Sequence, residues 1–158
     1  MSDLLASRKE YSFWMKEALH LAGRAYNEGE VPVGAIVTCH DRIIGKGYNQ
    51  RETLNDPTAH AEIIAITAAA RTLESWRLNE CTIYVTKEPC PMCAGAIINA
   101  RIQMLVFGAH DEEKGACGSL YQLCGDRRLD SKTIVKGGVM QEKCAGLIQN
   151  FFSEQREK

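Results

Sequence analysis

His60-Ala61-Glu62 and Pro89-Cys90-Pro91-Met92-Cys93 are the two stretches of this sequence whose residue types and spacing can do chemistry. One imidazole and two thiols supply three donors suited to zinc. A site with three protein donors keeps a fourth place for water, whereas a structural zinc site closes with four. Metal binding lowers the pKa of such a water to about 7. Glu62 stands two positions from His60, close enough to take the water's proton and carry it to a leaving amine. Each part alone has a plainer meaning. Cys90 and Cys93 fit a redox pair or half a zinc finger. His60 alone fits a core or surface histidine, and Glu62 an ordinary first-turn acid. The combination is more specific. A thiol redox protein leaves His60 and Glu62 unexplained, and a non-catalytic, zinc-folded binding subunit leaves Glu62 unexplained.

These residues need helix starts at one edge of a sheet. Helix N-termini favour negative charge and lower the pKa of a cysteine placed there. The periodicity predicts a helix over Ser12–Glu28, with Trp14, Ala18, Leu21 and Ala25 on its apolar stripe and Gly29 ending it. Strands follow at 33–37 and 42–48, joined by a turn at His40-Asp41. Pro57 and Thr58 open a helix from Ala59 to about Leu73. A strand at 81–86 leads to a helix that Pro91 starts and that runs to about Ala100. Strands at 103–107 and 133–136 enclose an irregular segment, 108–130, and a helix over 141–154 closes the chain. This order predicts a mixed sheet with helices on both faces, an antiparallel first hairpin and parallel strand–helix–strand units after it.

Composition bounds the partners. The 158 residues are 45% hydrophobic and 25% charged, enough for one domain spanning 1–158 without disulfides. The most apolar stretch, Ala59–Ala70, contains His60 and Glu62 and is too short to cross a bilayer. The opening MSDLLASRKE lacks the pattern of a secretory signal. A cytoplasmic, reducing setting is expected, and the seven cysteines read as metal ligands plus idle thiols. Nineteen basic and twenty acidic residues give a net charge of −1, so any nucleic-acid contact needs a local patch. Arg127-Arg128, in a loop that also carries Lys132, are the candidates for it.

The pairing of H-x-E with P-C-x-x-C is the signature of zinc deaminases of nucleobases. Asp56-Pro57-Thr58-Ala59-His60-Ala61-Glu62-Ile63 and Glu88-Pro89-Cys90-Pro91-Met92-Cys93-Ala94-Gly95-Ala96 resemble the cytidine deaminase superfamily, and within it the bacterial tRNA-specific adenosine deaminases. The likeness extends to Glu30–Ala35, Val106–Ala109, Gly115–Leu120 and Phe151-Phe152. It implies an α/β fold, a three-layer α/β/α sandwich around a five-stranded mixed sheet, and a homodimer. It implies one zinc per chain on His60, Cys90 and Cys93, with Glu62 as proton shuttle. It also implies Asn49 on the base, the Ala61 backbone beside the substrate, Asp111 near the ribose and Phe152 near the flanking nucleotides.

The reaction expected from this resemblance is hydrolytic deamination of adenosine to inosine in a tRNA anticodon loop. The alternative is a deaminase of a free purine or pyrimidine base or nucleoside. The chain departs from the family pattern at Lys87, at Tyr121-Gln122, at Asp130-Ser131 and in its charge-balanced closing helix. Cys39, Cys81, Cys117, Cys124 and Cys144 are expected to be packed thiols, and His20, His40 and His110 to be solvated.

Overall fold

A computed structural model describes residues 2–158, with side chains from Glu10 onward. Its middle layer is a five-stranded sheet in the order β2-β1-β3-β4-β5. β1 (Gly34–Cys39) and β2 (Arg42–Tyr48) form the predicted antiparallel hairpin. His40 and Asp41 make its turn with φ of 49° and 61°, the left-handed pair that a two-residue hairpin loop needs. β3 (Cys81–Lys87) runs antiparallel to β1, and β4 (Met104–Ala109) and β5 (Ile134–Lys136) continue in parallel. β2 and β3 therefore run the same way, as expected, but β1 lies between them.

Alternate strand residues face opposite layers. Ala35, Val37, Ile83, Val85, Leu105 and Phe107 pack with α2 (Ala61–Leu73) and α3 (Pro91–Asn99). Ile36, Tyr84 and Val106 pack with α1 (Ser2–Asn27) and α4 (Gln141–Arg156). The result is the expected three-layer sandwich. Three details differ from the sequence reading: α2 begins at Ala61 and not at Ala59, leaving Pro57 and Thr58 outside it, and the other two concern α1. α1 begins ten residues earlier than Ser12, because no Gly or Pro interrupts the segment before it. Its buried stripe is Tyr11, Met15, Ala18, Ala22 and Ala25, with Trp14 and Leu21 flanking it. The helix lies so close to the sheet that a Cβ at Gly34 would strike the Ala18 carbonyl, so small residues occupy the centre of the contact. Among the described residues no helix is long and apolar enough to cross a membrane.

Candidate active site

α2 and α3 share one face of the sheet and start at the same edge, which brings the two motifs together. His60 and Cys90 are their N-cap residues, with extended backbone (ψ 153° and 174°), and Pro91 takes the first turn of α3. Gly47 lets the first turn of α2 press onto β2, since a Cβ there would meet the Ala61 carbonyl. The His60 Nδ1 lies 3.7 Å from the Cys90 Sγ and 3.5 Å from the Cys93 Sγ. One donor atom from each of these three residues falls within 4.8 Å of the others, and among the described residues this is the only group of three able to hold a metal ion.

Glu62 is not part of that group. It sits in the first turn of α2, buried, with 4% of its surface exposed. Burial pushes its carboxyl above the usual range, against the opposing pull of its own backbone N–H and of His60. The Cys90 thiol is brought down to about 4. The Cys93 thiol beside it is the main cause, and His60 and the Cys93 backbone N–H add to it against burial. Cys93 moves the opposite way, because it gives its hydrogen to Cys90 and is buried. His60 is raised, chiefly by its contact with Cys90.

A cleft of about 270 Å³ opens onto this cluster. Its lining contains seven of the eight residues singled out from the sequence: Asn49, His60, Ala61, Glu62, Cys90, Asp111 and Phe152. The eighth, Cys93, is fully buried in α3. Val31 and Val33 supply apolar wall. Asn49 donates from Nδ2 to the Val31 carbonyl (3.2 Å), and its Oδ1 accepts from the Arg51 N–H (3.2 Å). One amide hydrogen and one lone pair remain for a ligand. Phe151 is packed into the core, whereas Phe152 is 43% exposed at the mouth.

The family model for MafB19-like deaminase matches residues 9–156. The chain belongs to this deaminase family. The chain is 43% identical over 145 residues to a relative from Bacillus subtilis named tRNA-specific adenosine deaminase, covering 92% of this chain and 90% of that one. A solved structure from work on A-to-I editing by tRNA:A34 deaminases superposes with a TM-score of 0.81 at 38% identity, over 84% of this chain and 96% of that chain. A guanine deaminase structure from Bacillus subtilis is 42% identical, with a TM-score of 0.58, over 61% of this chain and 62% of that chain.

Several residues of the deaminase's cleft escaped the sequence reading: Arg51, Lys87, Glu88 and Lys114 all line it. The Lys87 Nζ lies 3.2 Å from the Asp111 Oδ2. Conversely, Arg127 and Arg128 do not line it. Arg128 forms a two-pronged pair with Asp126 (3.0 and 2.7 Å), which occupies its guanidinium. The remaining cysteines are free thiols, as expected, and four of the five are buried. His20, His40 and His110 are exposed, as expected; His40 also meets Glu80 on the surface at 2.9 Å, and His110 meets the Phe107 ring edge-on.

Two buried carboxylates hold the cleft's loops. Glu88 accepts from the backbone N–H groups of Asp111, Cys117 and Ser119 and from the Ser119 hydroxyl. Glu30, 1% exposed, accepts from the Glu52 N–H (3.0 Å), the Thr53 N–H (2.7 Å) and the Thr53 hydroxyl (2.6 Å). Burial raises the Glu30 carboxyl, but the Thr53 and Glu52 donors outweigh it and hold the carboxyl below its usual range. Replacing Glu30 with Gln turns an amide NH₂ toward those donors and is expected to cost about 1–3 kcal/mol at pH 7. A depressed folded-state pKa stabilises above the unfolded value, about 4.3, and that contribution is lost as pH falls through the folded value. The stability gap between wild type and Glu30→Gln should therefore hold from pH 7 to about 5 and shrink below about 4. Urea midpoints across that range measure it, and a gap that widens in acid contradicts the assignment.

Proposed function

We propose that the chain is a single zinc-dependent deaminase domain that converts adenosine to inosine in a tRNA anticodon loop. The observation that carries the chemistry is a three-donor cluster with a buried, non-ligating glutamate beside it. The donors fit zinc. Tetrahedral coordination with ordinary Zn–S and Zn–N bonds sets sulfur and nitrogen about 3.6 Å apart, and the two His60–Cys distances are 3.7 and 3.5 Å. His60, Cys90 and Cys93 would hold the ion, whose Lewis acidity makes water a nucleophile near neutral pH.

The remaining work falls to the chain. Glu62 takes a proton from the attacking water and returns it to the exocyclic nitrogen. A carbon–oxygen bond forms, the carbon–nitrogen bond breaks, and ammonia leaves. Its raised pKa suits a group that must both accept and give a proton. Val31, Val33 and the Ala61 backbone enclose the base, and Asn49 offers its remaining hydrogen and lone pair to it.

The 43% identity to a tRNA-specific adenosine deaminase supports tRNA as substrate. The cleft supports it too. At about 270 Å³ it lies just below the range for drug-sized ligand pockets, about 300–1,000 Å³. It takes one base and leaves neighbouring nucleotides outside, where the exposed Phe152 offers a stacking surface. An anticodon-loop base is already unpaired, so it can enter such a pocket. A homodimer and a cytoplasmic site of action belong to this reading on the resemblance alone.

Ammonia release from a panel of substrates tests the proposal: a tRNA stem-loop, adenosine, adenine, guanine and cytosine. Stacking of a flanking base contributes about 1–3 kcal/mol, so the stem-loop is expected to exceed free adenosine in kcat/KM by at least about 100-fold once phosphate contacts are added. Rapid deamination of guanine or another free base, with the stem-loop untouched, would overturn the RNA substrate and leave the zinc site standing.

A further inference from the structure

Beside the metal donors, six ionisable side chains line the cleft: Arg51, Lys87, Lys114, Glu62, Glu88 and Asp111. The acids are all engaged internally. Glu88 is surrounded by its four donors. The Asp111 Oδ1 accepts from the Glu113 and Lys114 N–H groups (3.0 and 3.1 Å), and its Oδ2 faces Lys87. Glu62 is buried against the donor cluster. Among the described residues no carboxylate forms an ion pair with Arg51 or Lys114, and both side chains are exposed. A chain with a net charge of −1 thus presents two cations without an ion-pair partner at the mouth of its own catalytic cleft, Arg51 feeling only the longer-range attraction of the buried Glu30 carboxylate.

The two cations come from separate, braced loops. Arg51 lies between β2 and α2, tied by its N–H to Asn49, and Glu30 grips the next two residues. Lys114 follows β4 in the turn that Asp111 closes. Bracing by buried carboxylates reduces the ordering that these loops must undergo on binding. A base inserted between them carries its sugar at the mouth, and an internal nucleotide bears a phosphate on each side of that sugar.

We infer that Arg51 and Lys114 bind the two phosphodiesters flanking the target nucleotide, one each. The cleft thereby selects an internal residue of a strand over a free base, a nucleoside or a nucleoside monophosphate. This rests on the RNA-deaminase reading above and assigns its phosphate contacts to these two residues in place of Arg127 and Arg128.

The test is the salt dependence of stem-loop binding, measured by fluorescence anisotropy on the zinc-loaded protein between 50 and 400 mM NaCl, about a thousandfold window for several phosphate contacts. Each single-strand phosphate contact contributes a slope of about −0.7 in log Kobs against log[salt]. Arg51→Gln and Lys114→Gln are each expected to flatten the slope by about 0.7 and the double variant by about 1.4. Lys114→Arg should restore the wild-type slope. Arg127→Gln and Arg128→Gln should change it less. Unchanged zinc content and melting temperature exclude misfolding as the cause. Wild-type slopes in both Gln variants of a protein that deaminates the stem-loop would overturn this assignment alone. Adenosine monophosphate processed as efficiently as the stem-loop would overturn the selection of an internal residue. A wild-type protein inert on the stem-loop would overturn the RNA reading and this inference with it.

Discussion

Glu62→Gln is expected to leave the fold and the zinc content intact and to lower kcat on the best substrate by about 10²–10⁴-fold, in the upper part of the range for a lost general acid–base group. The upper part applies because one carboxylate serves two steps, taking a proton from water and delivering it to the departing amine. Glutamine keeps the volume of a side chain that is only 4% exposed, so packing in the first turn of α2 changes little. Glu62 is outside the donor cluster of His60, Cys90 and Cys93, so zinc stoichiometry should stay near one per chain. KM should move far less than kcat, as expected when an interaction acts in the transition state. Near-normal turnover in Glu62→Gln would remove this residue from the mechanism. Loss of zinc along with activity would recast it as a ligand or as a prop for one.

Cys90→Ala is expected to weaken zinc binding by more than about 100-fold, beyond the 10–100-fold typical of losing a group that only supports a ligand. Cys90 supplies the thiol brought down to about 4, so the variant loses the donor best suited to be a thiolate at neutral pH. Cys90 is half-buried at the N-cap of α3, not in the helix interior. The chain should therefore still fold, although its melting temperature should no longer respond to added zinc. Wild type should carry one zinc, since the other cysteines form no donor group of three among the described residues. Metal analysis after dialysis measures both quantities. Two zinc ions per wild-type chain, or full retention in Cys90→Ala, would mean that other cysteines hold metal.

Much of this was legible in the chain, and the parts that were share a length scale. The turn at His40-Asp41, the starts of α2 and α3, and the alternation along β1, β3 and β4 depend on residues a few positions apart, and short-range sterics and periodicity encode them directly. The same holds for His60 with Glu62 and for Cys90 with Cys93. Each pair lies within a few positions, so its members cannot be far apart, although His60 turns toward Glu62's end of the cleft only because it is the extended N-cap residue of α2.

What joins the two pairs is tertiary. β1 inserts between β2 and β3, yet α2 and α3 still start at one sheet edge and meet, because β2 and β3 run the same way and both helices cover one face. Glu30 and Glu88 entered the sequence reading only as members of stretches that resemble the family, with no role of their own. Only their burial, and the backbone donors that converge on them from residues 52–53 and 111–119, shows that they hold the cleft's loops. Charge misled most. Arg127 and Arg128 stood out because they are adjacent, but Asp126 neutralises one of them and neither reaches the cleft. Arg51, Lys87 and Lys114 are scattered over 63 positions, and only the fold gathers them at one opening. A charge acts through distance and through whatever ion it pairs with. Sequence therefore determined which atoms could do the chemistry, and the tertiary structure decided which charges remain free to meet a substrate.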